Sequence, residues 1–272
     1  MSQHLFNDTD ITAIANAIRT KKGTQNTMTV SQIPSEIASI PGGGGTDYMA
    51  QRVQGTLSSY VIPNTCTRIT YGAFAYQPMT SITIPSSVTE IGLNAFYYSS
   101  LTSVTIPDSV TYLSGSSFSN CRDLLSVTFS NTTVIELAGS SIFSGCSLLT
   151  TLNNFSIERI ATDSSGLRAI PISCFANTAL VGDISLGSSA KVGTSGFRNS
   201  QSSGILYIHL TQTNTSALAT SYNFYSGSST SLYSFDLTHC RLVVPYSANH
   251  SILTAYQTQW PNYSTIMIEE TP

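Results

Sequence analysis

Residues 79–101, MTSITIPSSVTEIGLNAFYYSSL, lie almost residue for residue over residues 101–124, LTSVTIPDSVTYLSGSSFSNCRDL. Upstream, residues 59–79 (SYVIPNTCTRITYGAFAYQPM) fit the same frame. Ile62-Pro63, Ile84-Pro85 and Ile106-Pro107 advance by 22 residues each time, and so do Phe74, Phe96 and Phe118. One such unit cannot bury its apolar face alone, so successive units must stack into a continuous core. The recurrence predicts a solenoid.

Within residues 80–85 the apolar positions alternate, with Ile82 and Ile84 on one face and Ser81 and Thr83 on the other, as in a half-buried strand. Pro85 has no N–H to give a ladder and ends that strand. Val88 and Ile91 turn inward again, Gly92 is read as a bend, and Ala95-Phe96 plug the core. The same aromatic plug is traced onward through Phe143, Phe175, Phe197 and Phe224, in steps of 25, 32, 22 and 27 from Phe118. Matching strands are predicted over 126–129, 151–155, 183–186, 206–210, 233–237 and 241–244. The extra residues near 160–170 are expected as a protruding loop, since a stack tolerates insertions only outside its core.

The pattern L-x-x-[IV]-x-I-P-x-S-V-x-x-I-G-x-x-[AS]-F resembles the BspA-like leucine-rich repeats of bacterial and phage surface proteins. It fits closely over 59–124 and loosely as far as 244. The resemblance implies a mainly β fold with short helices: a leucine-rich-repeat-type solenoid with an N-terminal helical anchor and a C-terminal cap.

Only 9% of the chain is charged, against about a quarter in ordinary globular proteins. The formal net charge of -3, with basic residues scattered, argues against nucleic acid as a partner. No apolar run approaches the roughly 20 residues needed to span a bilayer. The opening MSQHLFNDTDITAIANAI lacks a basic start and a continuous apolar stretch, so no secretory signal is expected there.

Residues 7–22 read as a helix capped by Asp8 or Asp10, with Ile11, Ile14, Ala15 and Ile18 in one stripe and Gly23 past its end. A second helical piece carries Ile33, Ile37 and Ile40. Two short helices bury too little surface to stand alone, so they must dock on a copy of themselves or on a larger assembly. Residues 10–40, D-I-T-A-I-A-N-A-I-R-x-K-x-G and then M-T-V-S-Q-I-P-S-E-I-A-S-I, resemble an N-terminal module of structural proteins from phages and prophages of Gram-positive bacteria. This implies virion attachment and oligomerisation through Ile11, Ile14, Ile18, Ile33, Ile37 and Ile40. The division expected is an attachment module over 1–41, a glycine-rich linker over 42–48, the solenoid over 49–240 and a cap over 241–272.

In the last segment, Ser247 is expected to cap a helix running to about Gln259 that presents Ile252, Leu253, Tyr256 and Trp260. Ile266 and Ile268 then alternate like a final strand. Trp260 reads as a plug in this cap, because repeat arrays need atypical ends.

The five cysteines show no paired short spacing, which speaks against a disulfide framework or a zinc site. Cys121 and Cys146 each follow a plug by three residues and are read as stacked buried thiols. No G-x-S-x-G elbow accompanies the histidines. Nothing in the sequence pairs Glu136, Glu158, Asp163, Asp183 or Asp236 for glycoside cleavage, which needs two acids about 5–10 Å apart. No enzyme, metal or cofactor is expected. The remaining signal is the exposed strand face, where Asp183, Tyr207, His209 and Asp236 replace the hydroxyls of earlier coils, and Tyr97 and Tyr98 form a second spot. Tyrosine supplies rigid contact area with a polar tip, suited to sugars or to another protein.

The two resemblances together imply a phage or prophage virion protein, of tail fibre or baseplate type. It would be made in the host cytoplasm, exposed on the particle, and homo-oligomeric, with a trimer as one form. Its helices would meet other virion proteins and its repeats a bacterial cell-surface polysaccharide or protein. Against this stand a non-binding structural or head-decoration protein, a bacterial adhesin and a depolymerase.

Overall fold

The computed structural model describes residues 61–130, 134–164, 166–198, 204–224 and 233–272. The two predicted helices, the glycine linker and Ile11, Ile14, Ile18, Ile33, Ile37 and Ile40 lie outside the described residues.

The strands form a front column and a back column, the first two described coils entering the front one only by the bridge of Val61 with Thr83, and every paired strand runs parallel to its neighbours. The front column begins as a three-stranded sheet of Ser103–Ile106, Ser126–Phe129 and Thr151–Asn153. It continues as a four-stranded sheet of Gly182–Ser185, Leu206–His209, Cys240–Val244 and Met267–Glu269. In the back column, Arg68–Ile69, Glu90–Ile91, Tyr112–Ser114 and Glu136–Ala138 form one sheet, and Arg168–Ile170, Ala190–Val192 and Tyr222–Phe224 the next.

Register keeps like over like. Val104 pairs with Val127 and that with Leu152, while Ile184, Ile208, Leu242 and Met267 align in the later sheet, all but Leu152 buried. A slip of one residue would turn this apolar row to solvent, so the alternation read in the sequence fixes the pairing.

Between the columns the plug phenylalanines form a ladder. Phe74, Phe96, Phe118, Phe143, Phe175, Phe197 and Phe235 stack with centroids 5.0, 4.9, 5.3, 5.5, 5.2 and 6.2 Å apart and ring planes within 14°. All seven are essentially inaccessible to solvent. Burying one such ring contributes roughly 1.5–3 kcal/mol before any packing term.

The last rung differs from the sequence reading: it is Phe235, not Phe224. Phe224 sits at the end of a back strand, in register with Val192, and meets Phe235 edge-on at 5.0 Å. The strand expected over 233–237 is therefore the plug turn, and the front strand follows it at Cys240–Val244. Gly92 also has a different role. A Cβ there would lie 2.8 Å from the Ile69 carbonyl oxygen of the preceding coil, so glycine is required by close approach of backbones.

The inserted residues after Ile160 fold back as a small hairpin, with Thr162 bridged antiparallel to Arg168, before the back column resumes. At the far end a helix, Ser251–Gln259, covers the last coil. Its Trp260 packs on Tyr222, Phe224 and Tyr256, and Tyr256 Oη donates to the Gln212 carbonyl at 2.9 Å. The helix starts later than the Ser247 cap implied: His250 (φ 55°) is its N-cap residue and makes no side-chain cap bond, while Ser247 Oγ accepts from Ile252 N at 3.1 Å from three residues before that cap. In the final strand Met267 points inward and Ile268 outward, because Ile266 still belongs to the preceding 3-10 turn.

Candidate functional site

The plug turn dictates an unusual backbone. In the first described coil, Gly72 N, Phe74 N and Tyr76 N donate to Leu93, Ala95 and Tyr97 carbonyls of the next coil at 3.1, 2.6 and 2.7 Å. The chain turns as it makes these bonds, Ala73 N and Ala75 N donating back to the Thr70 and Gly72 carbonyls at 3.2 and 3.1 Å, so it cannot stay extended here. Two residues past the plug, φ is accordingly positive in Tyr76 (60°), Tyr98 (55°), Asn120 (59°), Gly145 (75°) and Asn177 (56°). Asn and Gly accept that region readily, whereas a bulky residue is strained there by about 1 kcal/mol or more. The first two coils nevertheless carry tyrosine.

Those tyrosines form one cluster. Tyr76 stacks on Tyr98 at 5.5 Å and 12°, and Tyr97 meets both rings edge-on at 5.5 and 4.7 Å. The Arg122 guanidinium lies 5.3 Å from the Tyr98 ring centroid, and its Nη2 donates to Tyr98 Oη at 3.4 Å. Tyr71 and Tyr76 are 65% and 68% exposed. Beside the rings runs an open groove lined by Tyr71, Gly72, Ala75, Tyr76, Asn94 and Tyr97. Partial burial, reinforced by the neighbouring phenols Tyr76 and Tyr98, pushes the Tyr97 hydroxyl above its ordinary value. Of this group the sequence reading named Tyr97 and Tyr98 alone. Tyr76 stands one period before Tyr98, and Tyr71 one period before the exposed Leu93, so the register itself was the signal missed.

The predicted group of Asp183, Tyr207, His209 and Asp236 lies farther along, on and near the front strands after the fifth and sixth plugs. Asp183 pairs across the sheet with Tyr207, and Tyr207 with Arg241. His209 Nε2 lies 2.7 Å from Asp183 Oδ1, and its Nδ1 lies 3.5 Å from Glu270 Oε1. Asp183, Tyr207 and His209 are thus brought together, and Glu270 joins them because the final strand returns to the same sheet.

Asp236 does not belong to this spot. It follows the Phe235 plug and closes a turn, its Oδ1 accepting from Thr238 N at 2.6 Å and His239 N at 3.0 Å. Ser234, two residues before it, is buried and donates to the Val192 carbonyl at 2.7 Å. The place assigned to Asp236 beside Tyr207 is held by Arg241, because the front strand starts later than the 233–237 reading required.

Other acids are engaged in ion pairs: Glu158 with Arg168 at 3.0 Å and Asp163 with Lys191 at 2.9 Å. All five cysteines are buried and unbridged. Cys121 and Cys146 donate to the Phe96 and Phe118 carbonyls at 3.0 and 3.1 Å, as stacked thiols should. Among the described residues no group of three or more His, Cys, Asp or Glu is placed to hold a metal ion, and no helix is long and apolar enough to cross a membrane.

A search of curated proteins gives no match. Among solved structures, a leucine-rich repeat protein from Bacteroides ovatus ATCC 8483 aligns at 14% identity with a TM-score of 0.29, over 68% of this chain and 56% of that one. The chain therefore spans little more than half the length of that protein. The family comparison reaches as far as the hairpin insertion, although the ring ladder continues beyond it to Phe235. Residues 52–163 match the BspA type leucine rich repeat region, in six copies, and the chain folds as a mainly β solenoid of leucine-rich-repeat type.

Proposed function

We propose that this chain is a virion protein of a phage or prophage, of tail fibre or baseplate type, whose repeats bind the host bacterial surface. Residues 1–41 attach it to other virion proteins and hold several copies together, with a trimer as the expected form. The repeats face outward and bind a surface polysaccharide or protein, and no bond is made or broken. The likeness of residues 10–40 to phage structural modules supports the virion half of this reading.

The observation that carries the binding half is where the tyrosines are. The core is complete with its phenylalanine ladder and aliphatic rows, yet Tyr71, Tyr76 and Tyr207 stand outside it, exposed. Large aromatic groups that contribute nothing to a core are the common anchors of recognition surfaces.

The test is a pull-down of the full chain on Gram-positive cell walls, paired with localisation of the protein in intact particles. Retention on walls and labelling of particles are expected, and a chain lacking residues 1–41 should be missing from particles. Labelling without any wall retention would make this a spacer or decoration protein. Wall retention by a protein absent from particles would make it an adhesin. Release of reducing sugar from the walls would make it a depolymerase.

A further inference from the structure

We propose that the stacked pair Tyr76 and Tyr98, with Tyr97 set edge-on against both, is a platform for one pyranose ring of a saccharide. The assignment rests on the reading that the repeats bind the bacterial surface and names the ligand class and the place.

A left-handed backbone recurs two residues after Phe74, Phe96, Phe118, Phe143 and Phe175, whatever side chain stands there. Later coils meet the demand with Asn120, Gly145 and Asn177. Only the first two described coils place a bulky ring in that conformation, and they do so on successive turns, so that the rings become parallel neighbours 5.5 Å apart. At Tyr76, which is 68% exposed, this strain is accepted with no burial in return and points to a role outside the fold.

The cluster is also fixed in advance. Tyr97 meets both rings edge-on and the Arg122 guanidinium lies over the Tyr98 ring, so Tyr98 backs the exposed Tyr76 ring and little side-chain freedom remains to be lost when a ligand arrives.

Chemistry selects the ligand. The six residues lining the groove carry no carboxylate and no basic group. They offer ring faces, phenol hydroxyls and the Asn94 amide. The negative face of an aromatic ring attracts the polarised C–H groups of a sugar, while hydroxyls and an amide suit the hydroxyls at its edge. A peptide ligand would find no countercharge in the groove for its own charges.

The experiment titrates the full-length protein with soluble polysaccharide released from Gram-positive walls, and repeats the wall pull-down after protease or periodate treatment of the walls. The variants are Y76N, Y98N, the double variant Y76N/Y98N, and Y98F. Asparagine is what the fold already uses at this position, so each variant should melt within about 3 °C of the parent. The double variant should lose affinity at least about tenfold, while Y98F, which keeps the ring, should retain most of it. Binding should survive protease and fail after periodate.

Unchanged affinity in the double variant would overturn the platform while leaving wall binding in place. A fall in melting temperature of more than about 6 °C would mark the stack as structural and overturn it too. Protease-sensitive binding would overturn the saccharide class. A parent protein that holds soluble polysaccharide but not walls would sink the surface-binding reading alone, and one that holds neither would sink both.

Discussion

Phe143 stacks on Phe175 at 5.5 Å with ring planes only 2° apart, although the widest spacing traced between plugs in the sequence separates them. The ladder is indifferent to how much chain lies between two rungs, provided each coil delivers one ring to the axis. Stability should therefore reside in the rungs.

Phe143→Ala removes a ring that touches Phe118, Phe129 and Phe175. The cavity should cost about 3–5 kcal/mol, and thermal unfolding followed by circular dichroism should show a drop of roughly 10 °C or more. A loss below about 1 kcal/mol would mean that the stack relaxes around the hole.

Gly92→Ala probes the backbone contact between neighbouring coils. The added methyl carbon would stand 2.8 Å from the Ile69 carbonyl oxygen, which is main chain and cannot rotate away. Overpacking of this kind costs typically 1–3 kcal/mol. Gly166→Ala, where a Cβ meets nothing within 4 Å, isolates the effect of a positive φ (78°) from that of crowding. Denaturant midpoints of the two variants separate the terms.

The thiols should be silent in the folded protein. Burial pushes Cys240 up to about 12 and raises Cys146 and Cys174, whereas the hydrogen bond with Cys146 lowers Cys121; all five thiols are buried, so lack of access keeps the reagent out. An aromatic disulfide reagent should label none of Cys66, Cys121, Cys146, Cys174 and Cys240 before unfolding and all five after it. Rapid native labelling of one would place that cysteine at a site that opens.

Acid should loosen the C-terminal end first. The hydrogen bond from His250 Nδ1, with Ser247 Oγ 3.2 Å from the other oxygen, holds the Glu269 carboxyl below its ordinary value of 4.5. A carboxyl depressed in the folded state adds stability above its unfolded pKa and loses it as pH falls through the lower, folded value. Melting temperature should decline below about pH 4.5, and Glu269→Gln should start lower at neutral pH and decline less. Parallel acid profiles for parent and variant would remove Glu269 from the account.

Much of this architecture was legible because the repeat states its own register: Phe74 to Phe197 and the strand Ser126–Phe129 were read directly. The last rung was not. Phe224 follows Phe197 by 27 residues, close to the period, whereas Phe235 follows after a long Ser- and Gly-rich stretch. Both are buried aromatics, so spacing alone cannot tell a back strand from a plug. The residue before the ring does not separate them either, for although Ala73, Ala95, Ser117, Cys174, Gly196 and Ser234 are small, Ile142 before Phe143 is as bulky as Asn223. Asp236 was misplaced by the same error. The conformational demand at Tyr76 and Tyr98 was missed for another reason: the two tyrosines do not announce it, and only Asn120, Gly145 and Asn177 at the same register in later coils do.

The hairpin closed by Thr162 and Arg168 leaves the back column after Ile160 and rejoins it at Arg168, without disturbing the stacking of Phe143 on Phe175. It is in effect a socket. A foreign loop grafted at its tip, near Gly166, would be carried on a frame that does not register its presence, so new specificities can be added here without renegotiating the fold.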